Sequence, residues 1–267
     1  MRNFSTRLCA SVLCWMLTIA WIGGIGTARA AGVQQDNLRE GHETFEKAFY
    51  CPEATKVSQM LSDSLPLDKE FFADYFDGIL YPHFTQFANR ERLAKIGRDV
   101  LRKFFYPTAK NQAAFDLFNE VTLAKMKQYA TGSYQIETRC YALLFIGVTQ
   151  NPSLRGVKPV QLHEALNFLV EAAGDEKLPD AVRFASFVGI RRHVAPGQPE
   201  EVKKLVADAM SAIVKGRAAK DNEEDVLGIE AALVASSLGK DTPEVRALLH
   251  FLDKAVDSQP RELILTR

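Results

Sequence analysis

Residues 159–193 read PVQLHEALNFLVEAAGDEKLPDAVRFASFVGIRRH. The first half has the pattern of an amphipathic helix, with Leu162, Ala165, Leu166 and Leu169 at the three- and four-residue spacing that places them on one face. A second helix follows the turn at Pro179. Its apolar residues from 182 to 190 leave no continuous polar side, so it has to be covered from more than one direction. Pro159 and Pro179 both fall where a first helical position is expected, and a missing N–H costs nothing there.

The same design recurs to the C-terminal side. The stripe of 162–169 returns 44 residues later as Val206, Ala209, Met210 and Ile213, and 43 residues beyond that as Leu249, Leu252 and Val256, with Asp253 interrupting the third copy. Segments 136–148 and 226–238 repeat the all-round apolar pattern of 182–190. Pro199 and Pro243 mark two more helix starts, and helices are predicted at 136–149, 159–173, 179–194, 199–215, 222–238 and 242–256. A period near 44 residues, with one amphipathic and one enveloped helix per unit, is the pattern of a two-helix solenoid.

Asp180-Ala181-Val182-Arg183-Phe184-Ala185 resembles the Asp-x-Val-Arg-x-Ala opening of the second helix of a HEAT repeat, and Glu137-Thr138-Arg139-Cys140-Tyr141-Ala142 is a looser copy 44 residues upstream. The third copy keeps Val226 but has Leu227 at the arginine position, so a polar ladder built on that arginine is expected to stop there. The resemblance covers roughly residues 107–257 and implies an all-α, right-handed α-solenoid of antiparallel helix pairs. The whole chain is also similar to secreted bacterial repeat proteins of unassigned activity.

Upstream of the repeats the composition changes. Eleven of the 17 phenylalanines lie between Phe45 and Phe118. Helices are predicted over 34–49, 53–61 and 68–80, the last stopping at Tyr81-Pro82 because proline disfavours helical geometry in the residue before it. A basic helix capped by Asn89 is expected to reach Phe105, and a long helix is expected to end near Ala130 with Gly132 as its stop. Two readings of the aromatic residues Phe71, Phe72, Phe76, Phe84 and Phe87 stand side by side. They pack as a cap on the open end of the solenoid, or they line a groove for an apolar ligand.

Residues 1–30 have the three-part form of a secretory signal: Arg2 and Arg7, an apolar run over 8–25, then Ala28-Arg29-Ala30 before Ala31. The expected organisation is a signal peptide at 1–30, a helical cap at 31–106 and repeats at 107–267. Localisation is then periplasmic or extracellular, the alternative being an inner-membrane anchor formed by an uncleaved signal. Without the signal, 237 residues remain with 30 basic and 33 acidic side chains, a charge of −3 that gives no electrostatic footprint for nucleic acid. No second apolar run approaches spanning length. Cys51 and Cys140 would be left, either as a bridge or as buried thiols.

Motifs for chemistry are missing from the sequence. His42, His83, His163, His193 and His250 include no pair at helical zinc-ligand spacing, and there is no Cys-x-x-Cys, nucleophile elbow or phosphate loop outside the signal segment. Glu70, Asp74 and Asp77 share a helix face, which reads as a solvated edge or a hard-cation site. Arg92, Lys95, Arg98 and Arg102 form a basic arc suited to an anionic surface or an acidic partner, and Arg191-Arg192-His193 reads as a helix C-terminal cap. No cofactor, metal or catalytic residue is expected. The leading expectation is an exported, non-enzymatic scaffold with a protein partner; the others are a carrier of lipid or another apolar ligand and, last, an enzyme with dispersed site residues.

Overall fold

The computed structural model describes residues 33–105, 111–149, 159–193, 199–218, 225–240 and 242–257, with no side-chain description at 159–162, 218 and 251–257. The expected signal segment, the Tyr106-Pro107 break and the side chains of Leu162, Leu252 and Val256 lie outside the described residues. The described chain is all-α, with eleven α-helices and no strand.

From Gln34 the chain runs as an extended strap rather than the helix expected over 34–49. The Gln34 amide donates to Ser133 O (2.8 Å) in an isolated parallel bridge with Tyr134. The Asp36 amide donates to Thr85 Oγ1 (2.9 Å), and Gln86 Nε2 donates to Asp36 O (2.8 Å). Backbone groups committed to residues 50 or 100 positions away are withheld from helix bonds. Helix α1 is therefore confined to Phe45–Tyr50, with Thr44 as its N-cap.

Helix α2 (Pro52–Leu61) starts on Cys51, whose Sγ accepts from Ala54 N at 3.3 Å. Helix α3 (Lys69–Asp74) is capped by Asp68, then widens into a π-helical turn (Tyr75–Leu80) and tightens into a 3-10 turn (Tyr81–Thr85). Tyr81-Pro82 thus does not end the helical path. The Tyr81 amide still reaches Phe76 O, and Pro82 sits in the first turn of the 3-10 segment, where its missing N–H is harmless. The wide turn directs Tyr75, Phe76, Ile79 and Leu80 inward together.

The basic helix also differs from expectation. A 3-10 turn (Phe87–Arg92) precedes α4 (Leu93–Val100), which passes into a second π-helical turn (Leu101–Phe105). Asn89 is no N-cap: it is buried, and its Nδ2 donates to His83 O at 3.0 Å, which ties two 3-10 turns together.

The remaining helices are α5 (Gln112–Thr131), α6 (Ile136–Thr149), α7 (Pro159–Gly174), α8 (Asp180–His193), α9 (Glu200–Ala218), α10 (Val226–Ser237) and α11 (Pro243–Asp257). The predicted bounds agree with these to within a few residues. Helix α5 stops at Gly132, whose backbone is extended; a Cβ there would fall 2.7 Å from the Tyr134 ring and 2.9 Å from Gln128 O. Consecutive helices pack as α5 on α6, α7 on α8 and α9 on α10. Contacts also run α5–α7–α9–α11 and α4–α6–α8–α10, with α6 on α8 the most extensive.

The first expected stripe faces inward at its described positions, the second does so at Val206 and Met210, and of the third only Leu249 is described. Helix α7 buries Ala165, Leu166 and Leu169; α9 buries Val202, Val206, Met210 and Val214, with Ala209 and Ile213 at the edge; α11 buries Val245 and Leu248, with Leu249 partly covered. Each Val, Leu or Met side chain among them taken fully from water contributes about 1.5–3 kcal/mol. Among the enveloped helices, α8 buries Val182, Ala185, Phe187 and Ile190, and α10 buries Leu227, Ala231, Val234 and Ala235.

Arg139 and Arg183, 44 residues apart, have equivalent roles. Each donates Nε–H at 3.0 Å to a carbonyl at the C-terminal end of the preceding helix, Arg139 to Ala130 and Arg183 to Ala173. The carbonyls of a last helical turn have no intrahelical partner, so each arginine closes one. At the third copy Leu227 is buried and offers no polar group, so the ladder built on that arginine stops there, and ion pairs from other positions lie beside it. Arg217, from the last turn of α9, pairs with Asp225 and lies 3.8 Å from Asp180, which is itself 3.6 Å from Arg183. Asp225 then caps Gly228 N at 3.0 Å.

Candidate functional site

The five phenylalanines considered for an apolar groove do not share one surface. Phe72, Phe76 and Phe84 are fully buried, Phe71 is partly covered beneath Lys56 Nζ at 3.8 Å from its ring, and Phe87 is at the surface. The buried rings join the segment 72–84 to α5 and α6. Phe76 packs edge-on against Phe118 of α5 at 5.0 Å between centroids, and Phe84 lies 5.7 Å from both Tyr141 and Phe145 of α6. Aromatic area committed to this seam is withdrawn from any open groove, because the rings already touch one another.

The basic arc divides in two. Arg92 pairs with Glu46 and so fastens the 3-10 turn to α1, whereas Lys95, Arg98 and Arg102 are exposed opposite buried Leu93, Ile96, Val100 and Leu101. Lys103, next in sequence, turns inward instead. Its Nζ donates to Phe49 O and lies 4.5 Å from the Phe49 ring, 5.3 Å from Phe104 and 5.4 Å from Tyr50. Burial lowers the Lys103 pKa from the ordinary lysine value.

The acidic row is exposed at all three positions, as a solvated edge would be, and two of its members are ion-paired. Asp74 forms a two-point pair with Arg39 (2.6 and 2.7 Å), Asp77 pairs with Lys125 (2.8 Å), and Glu70 is exposed. Lys125 is also 3.5 Å from Asp36, which accepts the phenol hydrogens of Tyr129 and Tyr134, each at 2.8 Å. Gln34 Nε2 donates to Tyr134 Oη at 2.8 Å. Burial first, and then the Asp36 carboxylate, raise both tyrosine pKa values, so the phenols remain donors. This polar knot fixes the strap to the α5–α6 corner.

Arg191-Arg192-His193 lies in the last turn of α8, and its two arginines also reach neighbouring helices. Arg191 pairs with Glu230 of α10 at 3.1 Å, Arg192 donates to Leu144 O of α6 at 2.9 Å, and His193 is buried. Cys51 and Cys140 are both free thiols, which removes the alternative of a bridge between them. Burial pushes the Cys140 thiol up to about 12.

His42, Cys51 and Glu53 form a constellation that the sequence did not reveal. One donor atom from each lies within 4.8 Å of the others, with His42 Nε2 and Glu53 Oε2 3.7 Å apart. Three local structures bring them together: the turn before α1, the N-cap of α2 and the first turn of α2. A spacing of nine residues that spans the whole of α1 matches no motif, although Cys51-Pro52-Glu53 held the signal of a cysteine at a helix start. Burial, the largest influence, raises the Cys51 pKa. The Glu53 carboxylate is held below its ordinary value, first by its own backbone N–H and next by the Cys51 thiol. No helix among the described residues is long and apolar enough to cross a membrane.

No protein-family model matches the chain, and neither a curated protein nor a solved structure matches it.

Proposed function

We propose that the protein is an exported, non-enzymatic scaffold built on a HEAT-like, right-handed α-solenoid of antiparallel helix pairs, closed at one end by the aromatic cap and engaging an acidic protein partner. The observation that carries this reading is the order of helix contacts, in which pairs α5–α6, α7–α8 and α9–α10 also touch the next pair along the odd- and even-numbered helices. Stacked pairs of this kind lay out an extended face suited to a protein segment. The matched placement of Arg139 and Arg183 supports the repeat assignment, and the packing of Phe76 and Phe84 onto α5 and α6 supports the cap. Lys95, Arg98 and Arg102 are the cations offered to the partner.

Affinity purification of the tagged protein from its envelope fraction, beside the triple variant Lys95→Glu, Arg98→Glu, Arg102→Glu, tests this. The expected result is one near-stoichiometric protein that is lost in the variant and released by salt. Recovery of a bound lipid without a protein, or of the same protein on both baits, would overturn the scaffold reading or its basic face respectively.

A further inference from the structure

We propose that His42, Cys51 and Glu53 form a binding site for one borderline divalent cation, Zn2+ being the best fit, with a fourth coordination position open to water. The donor set is one imidazole nitrogen, one sulfur and one carboxylate oxygen, which suits zinc-class ions over calcium or magnesium. Tetrahedral Zn2+ with ordinary bond lengths places its donors roughly 3.3–3.6 Å apart. The His42–Glu53 separation of 3.7 Å is already there, and drawing all three atoms in from 4.8 Å takes about 1 Å of side-chain movement.

Three local features prepare the atoms for a metal. His42 Nδ1 lies 3.2 Å from Glu40 O; a carbonyl can only accept, so Nδ1 carries the hydrogen and Nε2, the atom facing Glu53, holds the lone pair. Glu53 Oε2 is shielded from solvent and has no hydrogen-bond partner, an arrangement that costs free energy unless something else satisfies it. Cys51 Sγ is fixed at the start of α2 by two backbone contacts, accepting the Ala54 N–H at 3.3 Å and donating to Ala48 O at 3.0 Å; a metal would take the place of the donated hydrogen. Binding would proceed with loss of the Cys51 proton to solvent, the sulfur lone pair going to the metal. His42 and Glu53 remain partly exposed, which leaves a path for the ion.

The competing arrangement is a simple ion pair of protonated His42 with Glu53, and metal titration separates the two. Chelator-treated full-length protein is titrated with Zn2+ against a competing indicator and, separately, with Co2+ followed by absorbance. The expected result is one equivalent bound, with a thiolate-to-cobalt charge-transfer band in the near ultraviolet that Cys51→Ser abolishes and Cys140→Ser leaves intact. His42→Ala and Glu53→Gln should each weaken Zn2+ binding by roughly 10–100-fold. Both alter partly exposed side chains, so they test the site even if Cys51→Ser perturbs folding. Absence of stoichiometric binding, a cobalt spectrum without the thiolate band, or unchanged affinity in both His42→Ala and Glu53→Gln would overturn the proposal.

Discussion

Gly147 of α6 and Gly189 of α8 meet backbone to backbone: a Cβ on Gly147 would lie 2.6 Å from the Cα of Gly189. A flexible side chain could swing aside, but a main-chain atom moves only with its helix. Gly147→Ala is therefore expected to spread the most extensive helix contact and lower stability by about 1–3 kcal/mol. Gly174→Ala is the control, because nothing lies within 4 Å of the added methyl. Thermal melting should fall by several degrees in the first variant and hold or rise in the second; equal melting of Gly147→Ala and wild type would contradict the close crossing.

The buried stripes can be tested by charge. Leu166 and Met210 are interior, whereas Leu205 is 41% exposed on the same helix as Met210. Leu166→Asp and Met210→Asp should each cost at least about 3 kcal/mol, because the new carboxylate has no buried counter-ion. Leu205→Asp should stay within about 0.5 kcal/mol of wild type. Chemical denaturation of the three variants checks the register, which would be wrong if Met210→Asp and Leu205→Asp behaved alike.

Removing the Asp36 side chain deprives two phenols and Lys125 of their common acceptor. Asp36→Ala should cost about 2–4 kcal/mol, while Tyr129→Phe and Tyr134→Phe should cost roughly 0.5–1.5 kcal/mol each. Limited proteolysis reads the local effect: cleavage within 34–44 should accelerate in Asp36→Ala before global unfolding does. Protection equal to wild type would show that the strap is held by its backbone bonds alone.

Stability should also depend on the protonation of His193. Burial first, with Arg192 adding to it, lowers this imidazole to about 4, against an ordinary value of 6.5. Between those values the unfolded chain binds a proton that the folded chain does not. The contribution is thus complete above pH 6.5 and is lost as the pH falls towards 4, to a total of roughly 3 kcal/mol. Glu230, raised by burial against the pull of Arg191, acts in the opposite sense. The comparison of His193→Gln with wild type isolates the histidine, and the variant should show a flatter decline from pH 6.5 to 4 in urea denaturation.

Much of the helical half was legible because its information is periodic and local. The stripe around Leu166 and Met210 and the prolines near the helix starts depend on residues within a turn or two of each other. The equivalence of Arg139 and Arg183 was legible in position, though the carbonyls they close could not be read from sequence. What stayed hidden depends on distance along the chain. Residues 34–44 hold apolar and polar side chains compatible with a helix, but their backbone bonds go to Thr85, Gln86 and Ser133. Asn89 has the chemistry of an N-cap and uses it on His83 instead. His42, Cys51 and Glu53 converge only because two helix ends and a turn happen to meet, which no spacing rule encodes.

The strap anchored by Asp36 imposes an order of assembly. Its phenol partners lie 93 and 98 residues downstream, so residues 34–44 cannot be secured until half of the chain has been made. On a ribosome adding roughly 5–20 residues per second, the strap waits about 5–20 s for Tyr134 to appear. Residues 34–44 cannot be held in place before α5 and the turn that follows it have formed. A nascent chain stalled before Tyr129 would present residues 34–44 to proteases and chaperones, and one extended past Tyr134 would withdraw them.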